Sequence, residues 1–167
     1  MKLKGLIYTP IVLSLIAARM LIGQALPDLN TSFAAMKANV EKIADPAEKQ
    51  RWQANVDAWQ VELVQPAPVA KADLDKLAAT VKLMKTNVAK IKATGEKQRW
   101  QANVSLWQLV VSGGGALGRS DGPAARELVS KITNNVAKIT EPMEKARWTA
   151  NRDMWRVVVT RIPVAAQ

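Results

Sequence analysis

An all-α fold is predicted: three tandem helical hairpins of 48 residues, preceded by an N-terminal apolar helix. Two observations carry this. The first is a nine-residue stretch, Glu-Lys-Gln-Arg-Trp-Gln-Ala-Asn-Val, which occupies residues 48–56 and returns unchanged at 96–104. A looser copy runs from Glu144 to Asn151. Trp52, Trp100 and Trp148 are 48 apart, as are Trp59, Trp107 and Trp155, and these are all 6 tryptophans of the chain. The second observation is apolar spacing in steps of three and four throughout the repeats, the signature of one helix face. No stretch alternates as a strand would.

The chain has 167 residues, 49% of them hydrophobic, enough for a sizeable core. It has no cysteine and no histidine. That excludes disulfides, thiolate metal sites and thiol nucleophiles, and removes the commonest general base and metal ligand. The net charge is +10. Lys2, Lys4 and Arg19 supply three of those positives, so the chain after residue 27 carries about +7.

Residues 1–27 form the first segment. Lys2 and Lys4 precede fourteen uncharged residues, Gly5 to Ala18; Arg19 interrupts, and Met20 to Leu26 are again uncharged. One expectation is a membrane anchor through residues 5–26, since twenty-two helical residues at about 1.5 Å each cross a bilayer core of about 30 Å. Arg19 would then lie near the outer end, where it could snorkel or meet a partner in a membrane complex. The alternative is a secretory signal peptide cleaved near Ala25, leaving a secreted protein. Either way the repeats face the extracytoplasmic (periplasmic) side, because the flanking lysines stay inside.

Residues 28–66 form hairpin 1. Leu29, Phe33, Met36, Val40 and Ile43 give its first helix an apolar stripe. Asp45 is placed to cap the second helix, Pro46 fits its first position, and Glu48 could complete a capping box. Along the second helix Trp52, Val56, Trp59 and Leu63 share one face, while Ala54, Ala58 and Val61 form a second apolar strip. A helix apolar on two sides is packed on two sides, so the second helices should be the inner layer.

Hairpin 2 spans 67–115 and repeats the pattern with Leu77, Val81, Met84, Val88 and Ile91, then Trp100, Trp107, Ala102, Leu106 and Leu109. Thr94-Gly95 replaces the Asp-Pro pair, predicting a looser turn. Hairpin 3 spans 116–167. It offers Leu128, Val129, Ile132, Val136 and Ile139, with Ser120-Asp121-Gly122-Pro123 as a helix start and Glu141-Pro142 at the turn. Gln65-Pro66-Ala67-Pro68 reads as a short stiff link and Ser112 to Gly118 as a flexible one. The hairpins could stack as a short α-solenoid or close into a six-helix bundle.

The repeated polar residues have both a structural and a binding reading. Asn39, Asn87 and Asn135 flank the first helices, and Asn55, Asn103 and Asn151 the second. A turn near residue 45 puts Asn39 opposite Trp52 and Asn55 opposite Met36, so Asn39 is expected to accept the Trp52 indole N–H. Alternatively the Asn and Trp residues line a groove. Glu48–Arg51, Glu96–Arg99 and Glu144–Arg147 are three apart and expected to pair within their helices. In the third copy Arg152 replaces Val56 and Val104, and Arg156 replaces Gln60 and Gln108. Arg147, Arg152, Asp153 and Arg156 are therefore the candidate docking surface, on a terminal helix short of a neighbour.

No site suits an enzyme, and Gly113-Gly114-Gly115 lacks the strand and Lys-Ser/Thr of a phosphate loop. No cofactor or metal is implied. The expected function is a non-enzymatic structural subunit that scaffolds or stabilises a larger membrane protein complex. Its expected partners are protein subunits of that complex and the lipid bilayer. The alternative is a secreted basic module binding an anionic polymer or membrane surface; nucleic acid is not expected as a partner of an exported domain.

Overall fold

The computed structural model describes residues 27–64 and 69–162. Among them are six α-helices and one 3-10 turn, with no strand. Helix α1 is Leu29–Val40, α2 Pro46–Val64, α3 Lys71–Ala89, α4 Thr94–Ser112, α5 Gly122–Val136 and α6 Pro142–Thr160. The chain is all-α, as the apolar spacing predicts. The apolar stretch 5–26, its Arg19 and the link Gln65–Pro68 lie outside the described residues. Within those described, no helix is long and apolar enough to cross a membrane.

Local chemistry fixes the helix ends. Asp28 accepts the Thr31 backbone N–H at 2.7 Å and starts α1. Asp45 accepts that of Glu48 at 2.6 Å, and Pro46 occupies the first helical position, where no N–H is needed. At α6 the Glu141 carboxylate accepts from the N–H groups of Met143 and Glu144. The middle inner helix has Ala93 at its cap and no side-chain cap bond. Its turn is nonetheless no longer than the others: α2, α4 and α6 begin at 46, 94 and 142. What the middle unit lacks is the cap.

The stretch from Ser112 to Gly118 is more ordered than a flexible link. Gly115 N–H reaches back to Val110 O at 2.9 Å, and Gly114 N–H to Val111 O at 3.1 Å. Those two bonds make the six-residue C-terminal motif that satisfies the last carbonyls of α4. Gly114 takes φ +74°, open to glycine without strain. Gly115, at φ +101°, approaches Val69 so closely that a Cβ would sit 2.4 Å from its methyl carbon.

Helices α2, α4 and α6 are the inner layer, side by side and parallel, with equivalent tryptophans in contact. Each outer helix packs on two of them: α3 on α2 and α4, α5 on α4 and α6, α1 on α6 and α2. The arrangement closes on itself, and α6 is not an open end. The stripe from Leu77 to Ile91 is buried throughout, as are Met36, Val40, Ile43, Val129, Ile132, Val136 and Ile139. Leu29, Phe33 and Leu128 are half-buried at the edge of the same core.

Candidate functional site

The repeated motif meets itself on the axis between the inner helices, where it forms four layers. At the N-terminal end lies a ring of ion pairs between units. Arg51 Nη2 is 3.0 Å from Glu96 Oε1, Arg147 Nη2 is 2.7 Å from Glu48 Oε1, and Arg99 donates to Glu144. The Glu–Arg residues spaced by three therefore bond to the neighbouring helix and not within their own. Glu48, turned toward Arg147, completes no capping box. Arg99 and Arg147 are buried, and their guanidinium groups lie over the rings of Trp148 and Trp52 at 5.6 and 5.8 Å. This contact supplements the single carboxylate bond of each arginine.

Below the ring, Trp52, Trp100 and Trp148 form a closed triangle with centroids 4.9, 4.9 and 5.1 Å apart, edge against face. That geometry sets the positive ring edge against the negative face of the next. The third layer is a ring of asparagines. Asn55 donates to Asn151 Oδ1 at 3.0 Å, Asn151 to Asn103 Oδ1 at 3.0 Å, and Asn103 to Asn55 Oδ1 at 2.9 Å. Each of these oxygens accepts a second bond, from the indole N–H of Trp59, Trp107 or Trp155, at 2.8–2.9 Å. An indole nitrogen only donates, so it fixes which end of each amide faces it. The fourth layer is those three tryptophans, with centroids 4.6–4.8 Å apart.

Asn55 does lie against Met36, with Nδ2 3.5 Å from Sδ. Asn39 does not serve Trp52. Its Nδ2 donates to the carbonyl of Ala35 in its own helix, as Asn135 does to Lys131. Asn87 reaches Gln50 on α2 at 3.4 Å. The indole groups that find asparagine are those of the second tryptophan in each unit, and their acceptors come from other units. Among the described residues, the Nε of Arg51, Arg99 and Arg147 and the Nε1 of Trp100 are buried without a hydrogen-bond partner.

The expected docking surface does not hold as a set. Arg147 is buried in the ion-pair ring. Arg152 makes two bonds to Asp153 Oδ1, at 2.7 and 2.9 Å, and Arg156 lies 3.7 Å from the same oxygen. All three are half-buried. Ring closure sets Arg147 against Glu48 of the first unit, while Arg152 and Arg156 share the Asp153 carboxylate of their own helix.

At the C-terminal end of the inner helices, a cavity of about 660 Å³ is bounded by Pro27, Trp59, Glu62, Leu63, Val157 and Arg161, among others. Burial pushes the Glu62 carboxyl up to about 7. Among the described residues, no group of three or more His, Cys, Asp or Glu is placed to hold a metal ion. The side chains of the axis bond one another. No protein-family model matches the chain, and comparisons with known proteins and with solved structures also return no match.

Proposed function

We propose that the chain is a non-enzymatic accessory subunit, a triplicated helical hairpin held at a membrane by residues 5–26. The repeats face the extracytoplasmic side and scaffold or stabilise a larger membrane protein complex. One observation supports this reading above others. The chemistry that recurs three times, the Trp, Asn, Arg and Glu of the motif, is consumed within the axis. What remains for function is a rigid helical exterior, and a rigid exterior suits contact with other proteins. The apolar start with its Arg19 adds the tether and a membrane-level contact. The test is capture of the intact chain from membranes solubilised in mild detergent. The expected result is a fixed set of co-purifying subunits and an intact N-terminus by mass. A chain that purifies alone as a monomer sinks the reading.

The excess of positive charge beyond residue 27 favours a second reading, a secreted module on an anionic polymer or membrane surface. A start at Leu26 in the isolated protein, with binding to anionic vesicles that weakens as salt rises, is its signature.

A further inference from the structure

The three units are near copies, so the places where one departs from the others are informative. Two departures of the middle unit from both others fall in one groove, over the outward face of α4 between α3 and α5. Three adjoining cavities of about 460, 490 and 340 Å³ run along it, joined through Gln101, Ser105, Lys85 and Gln108. Lys131, paired with Glu127 at 2.7 Å, borders it on α5, and Lys82, Lys85 and Lys97 supply the rest of its positive charge. None of the three forms an ion pair among the described residues.

Each sister unit carries an acid on the corresponding face. In unit 1, Lys49 sits 3.6 Å from the Glu41 carboxylate, and Asp57 stands in the middle of the helix face, bonded to Gln53 at 2.9 Å. In unit 3, Asp153 holds Arg152 and Arg156. The middle unit has Ser105 where the others have Asp57 and Asp153; at the Glu41 position of unit 1 it has Ala89, as unit 3 has Ala137. It has Lys82 where the others have Ala34 and Ser130. The acid that both sister units share is gone and a lysine is added, on one face, in an otherwise repeated framework.

We propose that this groove receives an extended acidic segment of a partner protein, with Lys82, Lys85 and Lys97 meeting its carboxylates and Gln101, Ser105 and Gln108 its backbone. This deepens the scaffold reading and rests on it. Lys97 to Ser112 spans about 22 Å at 1.5 Å per residue, the length of six or seven extended residues. Gln101 and Gln108 are exposed amides that both donate and accept, matching the alternating N–H and C=O groups of a peptide. All six tryptophans are buried, so the groove offers no indole on which a nucleobase could stack. Its concavity suits a chain and not a flat bilayer.

The test uses the full-length protein in mild detergent and fluorescein-labelled octaglutamate as probe. Binding is expected, and to weaken at least tenfold between 50 mM and 500 mM salt, because these charges are accessible to screening. Ala89→Glu with Ser105→Asp installs the two acids of unit 1, at positions where that unit already carries them, and should weaken binding at least tenfold. Ala34→Glu with Ser130→Glu adds the same charge on the other outer helices and should change it less than threefold. Lys82→Ala with Lys85→Ala, both exposed, should cost at least fivefold and keeps the result readable if the first variant folds poorly.

Equal weakening by the two glutamate-bearing double variants, or no weakening by either groove variant, overturns the proposal. So does stronger competition from polygalacturonate or anionic phosphatidylglycerol vesicles than from unlabelled octaglutamate at equal charge. Subunit capture is scored separately. Intact co-purification with no octaglutamate binding removes the groove and leaves the scaffold; an isolated monomer removes the scaffold.

Discussion

Asn103 ties three units together through one amide: its oxygen accepts from Asn151 and Trp155, and its nitrogen donates to Asn55. Asn103→Ala leaves two buried donors without an acceptor and halves the bonding of the Asn55 oxygen. Buried polar groups stripped of partners cost about 1–3 kcal/mol each, so the loss should be about 3–5 kcal/mol. Denaturant unfolding followed by tryptophan fluorescence measures it; a loss under about 1 kcal/mol would mean the ring does not hold the units. The two tryptophan layers should also differ. Trp107→Phe deletes a 2.9 Å bond to Asn55, whereas Trp100→Phe deletes a buried N–H that has no partner. The same unfolding experiment should find Trp100→Phe milder by about 1 kcal/mol, the value of one such bond. That an asparagine serves a tryptophan was legible in the sequence. Which ones do so was not. Folding one hairpin in isolation offers Asn39 to Trp52, while the actual bond joins Trp59 to Asn151 in another unit. Helical periodicity orders residues on a helix face and carries no information about which remote face meets it.

Helix bounds were the most legible features, because their causes are local. Pro46, Pro142 and the caps at Asp45 and Glu141 set the starts of α2 and α6 wherever those helices pack. Ala93 is the uncapped counterpart, so Ala93→Asp should stabilise the protein by about 1 kcal/mol, an increase readable as a higher denaturant midpoint with unchanged slope. The other end of α2 carries a pH dependence. Burial raises Glu62 to about 7, above the ordinary carboxylate value of about 4.3, so the folded protein holds this proton more tightly than the unfolded chain. The stability associated with it is present below about pH 4.3 and is lost as pH rises through 7. Comparing the wild type with Glu62→Gln removes contributions common to both, such as the Asp28 and Glu141 carboxyls, which hydrogen bonds lower in the opposite sense. Relative to Glu62→Gln, the wild type should lose about 2 kcal/mol between pH 5 and pH 8.5, a figure reduced for the partial exposure of the side chain. A constant difference across that range would place Glu62 in an ordinary aqueous setting.

At the scale of the molecule the decisive property is closure. Stripe and motif specify inner and outer helices, but a stack and a ring bury the same faces locally, which is why the repeats alone left both open. The difference lies in contacts between the first unit and the third: Trp52 on Trp148 at 4.9 Å, Trp59 on Trp155 at 4.6 Å, Arg147 on Glu48, and α1 covering α6. Closure also explains why Arg147, on the last helix, is buried against Glu48 of the first unit. A basic residue on a terminal helix reads as exposed only while the helix is thought to be terminal. The two architectures answer truncation differently. In a linear array, stability is a sum over units and nearest-neighbour interfaces, so losing an end unit leaves a shorter folded array. In the ring, ending the chain at residue 115 opens both tryptophan triangles. It uncovers the faces of Trp52, Trp59, Trp100 and Trp107 that met Trp148 and Trp155, and breaks the asparagine cycle at two of its three bonds. The truncated chain should lose its near-ultraviolet circular dichroism and its cooperative unfolding transition, while adding residues 116–167 as a separate chain should restore part of both. A two-unit chain that unfolds cooperatively with most of its aromatic signal intact would show that the units stand without the ring.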